Sequence, residues 1–233
     1  MNPIKIFGPT HLAALGATAI VWVFLLLLVK WDSPWSRRME RVLAVLLLGQ
    51  WVFRLFLSWI FDYFDPASAL PFHLCDVVSF LAGLALLTRK QCLIELTYYW
   101  GMAGTLNGLI TPNLAHDFPH PDYFAFFLLH SGVVIAALHM TIAWKRFPRR
   151  ISILLAFGWI QLYLAVVAVV NAIFDANYAF LRERPANASL LDALPDPPWH
   201  LLVLEPLALV LFTLLYLPFH RKRLAAAESG KPN

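Results

Sequence analysis

Seven apolar stretches divide the 233 residues of this chain, at 10–30, 41–61, 72–88, 92–112, 122–145, 151–174 and 198–219. About 20 apolar residues carry a helix across the hydrocarbon core of a bilayer, where every backbone polar group must be satisfied internally. Stretches of this length leave few alternatives. The chain reads as an all-α, polytopic membrane helical bundle with seven transmembrane helices. No run alternates with period 2, which disfavours a membrane β-barrel. The chain has 14% charged residues, against about 25% in a soluble domain. Residues 1–220 are expected to form a single transmembrane domain, and 221–233 a basic, disordered cytoplasmic tail. The first stretch reads as a retained helix rather than a removed signal peptide.

Lysine and arginine set the orientation. Fourteen of them, from Lys30 through Arg89 and Arg149 to Lys231, fall in one set of loops; Lys5, Arg182 and Arg184 fall in the other. Arg54 is left inside a helix. The basic side is expected in the cytoplasm, which puts the N-terminus outside and the C-terminus inside. The net charge of +4 then needs no nucleic-acid partner, because the basic loops are placed to meet anionic headgroups. Cys75 and Cys92 lie at opposite ends of neighbouring segments. The span between them is about 25 Å at 1.5 Å per residue, too far for a disulfide, whose Cα atoms lie within about 7 Å.

An ionisable group in hydrocarbon is costly, so by default it marks a site. Here Arg54, His73, Cys75, Asp76, Asn107, His130, Asn171 and Glu205 all fall toward the extracytoplasmic ends of their segments. Pro71 opens the third segment, where its missing N–H costs nothing, and Asp76 suits the positive end of the helix dipole. His73 and Asp76, three residues apart, are expected on one helix face. Arg54 is expected to pair with Asp76 or Glu205, so that no charge is left alone in lipid. Tyr123, Tyr178 and Trp199 read as an outer aromatic belt. Loop 175–197 is the longest and a candidate lid over the polar layer. Its Asn187-Ala188-Ser189 fits the glycosylation pattern. Glu95 and His139 lie on the inner side, with separate structural roles.

Several blocks carry a resemblance. They are Phe7-Gly8-Pro9-Thr10-His11-Leu12, Leu70-Pro71-Phe72-His73-Leu74-Cys75-Asp76 and Tyr99-Trp100-Gly101-Met102-Ala103-Gly104-Thr105. Further along come Leu109-Ile110-Thr111-Pro112-Asn113, Phe126-Phe127-Leu128-Leu129-His130-Ser131-Gly132, Asn177-Tyr178-Ala179-Phe180-Leu181 and Ser189-Leu190-Leu191-Asp192. Together they resemble the YwaF-type bacterial integral membrane proteins, distant relatives of a eukaryotic transmembrane acyltransferase that acts on ether phospholipids. The resemblance covers nearly the whole chain and implies a multi-pass protein of the bacterial cytoplasmic (inner) membrane. The positions matching the relative's membrane cysteine and histidine are Cys75 and His130. The chain departs from the pattern at Asn107, where many members have Gln, and at Asp196-Pro197, where a Gly-Pro-like pair is usual.

The resemblance implies an acyltransferase or lipid ester hydrolase acting on membrane phospholipids, one of them an acyl donor, without a cofactor. Cys75 is the expected nucleophile and His130 the base, a sound pairing for acyl transfer through a thioester. Asp76 or Glu205 is expected to orient the imidazole. Arg54 is the candidate phosphate anchor, and Asn107 or Thr111 the candidate oxyanion donor. His73, Asn171, Tyr178 and Glu205 complete the expected substrate-binding set. Two other classes stand beside this reading. One is a zinc-dependent lipid hydrolase with His73, Asp76 and His130 as ligands. The other is a non-enzymatic lipid or small-molecule binder or transporter.

Overall fold

The computed structural model describes residues 3–30, 33–62, 64–185 and 190–228. The helices in chain order are α1 (Pro9–Lys30), α2 (Pro34–Ile60), the single turn α3 (Pro66–Ala69), α4 (Leu74–Thr88), α5 (Gln91–Trp100), α6 (Leu106–Ile110), α7 (Pro121–Leu138), α8 (Ser152–Phe174) and α9 (Leu201–Glu228). A π-helical turn at Gly101–Thr105 joins α5 to α6, and a second at His139–Ala143 extends α7. No strand occurs among the described residues. Five helices among them are long and apolar enough to cross a membrane: α1, α2, α7 with its π turn, α8, and α9 as far as His220. The 15-residue α4 is shorter, and α5 runs on through its π turn into α6 with helical backbone angles at Trp100, Gly101 and Leu106.

Local sequence explains the ends of these helices. The Ser33 side chain accepts the Trp35 amide and Pro34 occupies the first turn, so α2 starts two turns before the apolar stretch does. That early start carries Glu40 into the helix, where it is buried. His120 caps α7 ahead of Pro121 in the same manner. The last helix runs on to Glu228, past the boundary that its apolar stretch gives. Lys231 lies outside the described residues, as do Asn187, Ala188 and Ser189 of the glycosylation pattern.

The centre of the bundle is α4, α5 and α7. From Ile94 to Trp100 every residue of α5 is buried, and α7 is buried along most of its length. Close approach to α2 relies on glycine. An added Cβ at Gly83 of α4 would stand 2.6 Å from Leu48 Cγ, and one at Gly132 of α7 would stand 2.8 Å from Leu47 Cδ2. Small residues at crossings let membrane helices gain dispersion contacts where no hydrophobic driving force exists between them. The outer helices present large apolar side chains to the surroundings, among them Ile20 on α1, Val169 on α8 and Leu202 on α9. A continuous apolar exterior of this extent is at home in lipid.

The aromatic belt is corrected. Tyr123 is buried and donates its hydroxyl to the Thr10 carbonyl at 2.7 Å. Tyr178 is fully buried, and Trp199 alone of the three faces outward. Both cysteines are free thiols.

Acidic side chains tie down the end that bears the basic loops. Glu40 accepts from His139 Nε2 at 2.9 Å, Trp144 Nε1 at 2.8 Å and Arg89 at 3.1 Å. Glu95 accepts from the Arg149 amide and, in a bidentate fork, from its guanidinium at 2.9 and 2.8 Å. These bonds hold Arg149, in the loop before α8, above its ordinary pKa.

Candidate active site

At the opposite end, the sequence Pro71–Asp76 places three polar side chains in one turn of chain. His73 is the residue before α4, with extended backbone, and its carbonyl accepts the Asp76 amide at 3.0 Å. The shared helix face expected for His73 and Asp76 is therefore not formed. The His73 ring meets Tyr178 edge-on at 5.1 Å and Phe180 at 5.5 Å, both in the loop after α8. Asp76 turns to α2 instead. Its Oδ1 accepts from Arg54 at 3.0 Å and from Gln50 Nε2 at 3.4 Å. The Asp76 side chain is 1% exposed and that of Arg54 37%. The pair thus buries its anion and leaves part of its cation at the boundary. Of the two partners expected for Arg54, Asp76 is the one found.

Cys75, partly buried, points toward the π turn. Thr105 on that turn interacts with the thiol, and Arg54 and Asp76 lie within electrostatic reach of it. The Thr105 hydroxyl is buried. Tyr163 of α8 is also within reach of the thiol and donates to the Phe72 carbonyl at 2.9 Å, which fixes the entry to α4.

His130 meets the same segment at Gly108. Its Nδ1 lies 2.8 Å from the Phe126 carbonyl and must be the protonated nitrogen there, since a carbonyl only accepts. The ring stacks on Phe126 at 4.0 Å. Nε2 is left as an acceptor and lies over Gly108, where an added Cβ would stand 2.6 Å away. Arg54 and His73 are within electrostatic reach of His130. Cys75 thus meets this run at Thr105 and His130 meets it at Gly108, and no hydrogen bond joins the two. His73, Asp76 and His130 do not close to metal-binding distance, so the zinc set expected from the sequence is not assembled.

The remaining expected residues divide. Asn171 brackets Tyr178, its amide donating to the Tyr178 carbonyl at 3.0 Å while its oxygen accepts the Tyr178 amide at 2.8 Å. The Tyr178 hydroxyl donates to the Pro66 carbonyl at 2.6 Å and accepts the Leu70 amide at 2.9 Å. Burial pushes this phenol above its ordinary pKa. Asn171 and Tyr178 thus fasten the outer loop over the start of α4. Asn107 is exposed and donates back to Ala103 at 2.8 Å, and the Thr111 hydroxyl donates back to Asn107 at 2.9 Å. Neither is brought to Cys75. Glu205, half-buried on α9, has no ion pair among the described residues.

Gln50, Thr105 and Tyr163 join the polar layer without having been singled out in the sequence. Gln50 lies four residues before Arg54 on α2, a helical spacing that offered the clue. The single hydroxyls of Thr105 and Tyr163 in apolar runs gave no comparable signal. Two concavities lie elsewhere, a cleft of about 440 Å³ at Arg150–Leu154 and an apolar groove of about 180 Å³ between α1 and α7. Neither borders Cys75 or His130.

A multi-helix bundle with an apolar exterior and a layer of charged and polar groups under one end is an integral membrane protein. The chain belongs to the TMEM164 family, which it matches over residues 6–216. It is similar to an uncharacterized protein of Treponema pallidum (strain Nichols), with 29% identity over 161 residues. That match covers 65% of this chain and spans 63% of the relative's own length. No solved structure matches.

Proposed function

We propose that this chain is a membrane enzyme that transfers or hydrolyses an acyl chain of a phospholipid-like ester through Cys75 and His130. The observation that carries this reading is convergence. A free thiol, an Arg54–Asp76 pair with a buried carboxylate, and an imidazole with its acceptor nitrogen set by a backbone bond gather near the π turn and α6. Cys75 loses its proton to His130 Nε2, and the sulfur attacks the ester carbonyl. Collapse of the tetrahedral intermediate expels the alcohol, which takes the proton back from His130 and leaves a thioester. A second alcohol, or water, then attacks the thioester while His130 takes its proton, and the thiol is restored. Thr105 is better placed than Asn107 or Thr111 to donate to the oxyanion. The outward part of the Arg54 guanidinium holds the lipid phosphate while Asp76 keeps the inner part in place.

The thiol and imidazole must approach each other, and the π turn with the outer loop is the part that moves. Catalytic contacts that are loose without substrate commonly close in its presence. On this reading α4 and the α5–α6 run complete a seven-span bundle in the inner membrane, with the N-terminus outside. The test is incubation of the purified chain with phospholipid carrying a labelled acyl group, followed by mass spectrometry. A thioester on the peptide containing Cys75, absent in Cys75→Ala and accumulating in His130→Ala only slowly, is the expected result. Turnover that survives Cys75→Ser without an adduct would defeat the mechanism.

A further inference from the structure

The loop between α6 and α7 carries a group of side chains that the acyl-transfer reading does not use. His116, His120 and Asp122 offer one ligand atom each, and the three atoms lie within 4.8 Å of one another. Asp122 Oδ2 stands 3.4 Å from His116 Nδ1 and 3.4 Å from His120 Nδ1. The two imidazole rings stack with centroids 4.2 Å apart. In a tetrahedral site with bonds of about 2.0 Å, ligand atoms are about 3.3 Å apart. Two edges of the group already have that length.

The part His120 plays at the head of α7 leaves its Nδ1 unprotonated, the form that a metal needs. Its Nδ1 accepts the Asp122 amide at 3.2 Å as the cap of α7, so this nitrogen carries a lone pair and no proton. The same nitrogen faces a carboxylate oxygen, which also only accepts. That oxygen is met by His116 Nδ1, which donates to it in the metal-free chain, and an ion bound among the three would take the place of this proton. A metal at His120 Nδ1 would take the lone pair that the Asp122 amide now uses. Asp117, adjacent in the chain, adds a second negative charge to the loop, although its oxygens are engaged by Thr10 and the Phe118 amide.

We propose that His116, His120 and Asp122 bind one divalent transition-metal ion, with zinc the best fit and water in the fourth position. Two imidazoles and one carboxylate are a borderline-soft set, suited to zinc over calcium or magnesium, which take oxygen ligands. The metal fastens the loop to the head of α7. Phe61 at the end of α2 stacks near His120 at 6.0 Å, and Thr10 at the start of α1 donates to Asp117 at 3.0 Å. A metal here therefore ties together three helix ends on the side of the bundle that holds Arg54 and Asp76. The site does not depend on the acyl-transfer reading.

The experiment uses the full-length, tag-free chain in detergent, stripped with chelator and returned to zinc chloride alone. Bound zinc is counted by elemental analysis after gel filtration, and thermal unfolding is recorded with and without metal. One zinc per chain and a rise in Tm are expected. Cobalt in place of zinc should give the visible bands of a tetrahedral site. His116→Ala and Asp122→Asn should each weaken binding at least tenfold and abolish the shift in Tm. The His116 side chain is 42% exposed, so its loss leaves the fold in place. A cysteine-free variant, Cys75→Ala with Cys92→Ala, should keep the metal. If the native chain binds no more zinc than His116→Ala, or if the cysteine-free chain is the one that loses it, the proposal fails.

Discussion

The most constrained residue of the polar layer is Asp76, because it is a buried carboxylate whose charge is met by a single guanidinium. Removing one partner of a buried ion pair strands the other, which typically costs about 3–5 kcal/mol, whereas replacing both with apolar groups is often neutral. Arg54 is partly exposed, so the two single variants should differ. Arg54→Met strands the fully buried anion and should destabilise by about 3 kcal/mol or more, while Asp76→Leu strands a cation that reaches the boundary and should cost less. Arg54→Met with Asp76→Leu should recover most of the loss. Thermal unfolding of the four chains in one detergent, read as a double-mutant cycle, checks this; additive losses would mean that the pair is not coupled. Gly108 is constrained by His130. A methyl there meets the imidazole at 2.6 Å, and the ring is held from behind by its stack on Phe126 and its bond to the Phe126 carbonyl. Gly108→Ala should displace the ring by a fraction of an ångström to an ångström and lower lipid turnover by up to about a hundredfold, the scale set by misplacements of that size. The chain should remain folded, with unchanged elution in gel filtration.

At the scale of helices, the crossing of α2 and α4 depends on Gly83. A Cβ there would stand 2.6 Å from Leu48 Cγ and 3.0 Å from the Ala44 carbonyl, so relief requires the two backbones to part. Gly83→Ala should cost about 1–3 kcal/mol by overpacking, and Leu48→Ala should restore part of that when combined with it. Thermal unfolding of the two single variants and the double variant separates the steric cost from any change in helix propensity, which would favour alanine. Helix positions were legible in the sequence because apolar length is a direct statement about the bilayer. The stretches at 10–30 and 151–174 agree with α1 and α8 to within a residue at each end. What the sequence hid were features with no apolar signature. The π turn at Gly101–Thr105 holds two glycines, but inside a long apolar run they do not by themselves mark a change of helix type. The early start of α2 is written in Ser33 and Pro34, but it lies outside the apolar stretch and brings Glu40 into contact with His139 only in three dimensions. His73 was misplaced for a related reason. Three-residue spacing implies a shared face only inside a helix, and His73 is the residue at which the helix has not yet begun.

At the scale of the whole molecule, the two ends of the bundle differ in how they treat charge, and this leads to a prediction about orientation. At one end Arg89 and Arg149 are engaged by Glu40 and Glu95, and the flanking loops carry Lys90, Lys145, Arg146 and Arg150 as well. At the other, Arg182 pairs with Asp175 at 2.6 Å and Arg184 with Asp196 at 3.0 Å, so the few cations there are matched by carboxylates. The first end thus keeps a surplus of positive charge after its ion pairs are counted, and the second does not. Surplus lysine and arginine in short loops resist translocation, whereas acidic residues contribute little to that bias. Each neutralised pair at the second end therefore removes local charge without altering the count that sets topology. Reporter fusions after Lys90, within 145–150 and after His220 should report the cytoplasm, and fusions within 111–120 and at 181–185 should report the opposite side. Moving four lysines into 181–185 while neutralising Lys145, Arg146, Arg149 and Arg150 should weaken or invert the preference of the C-terminal half. The same fusions decide whether α4 and the α5–α6 run both cross. With seven crossings the sides alternate at every loop from residue 62 to residue 120. If α4 and α5–α6 instead enter and return together, the fusion at Lys90 moves to the side of its neighbours while the fusions at 145–150 stay where they are.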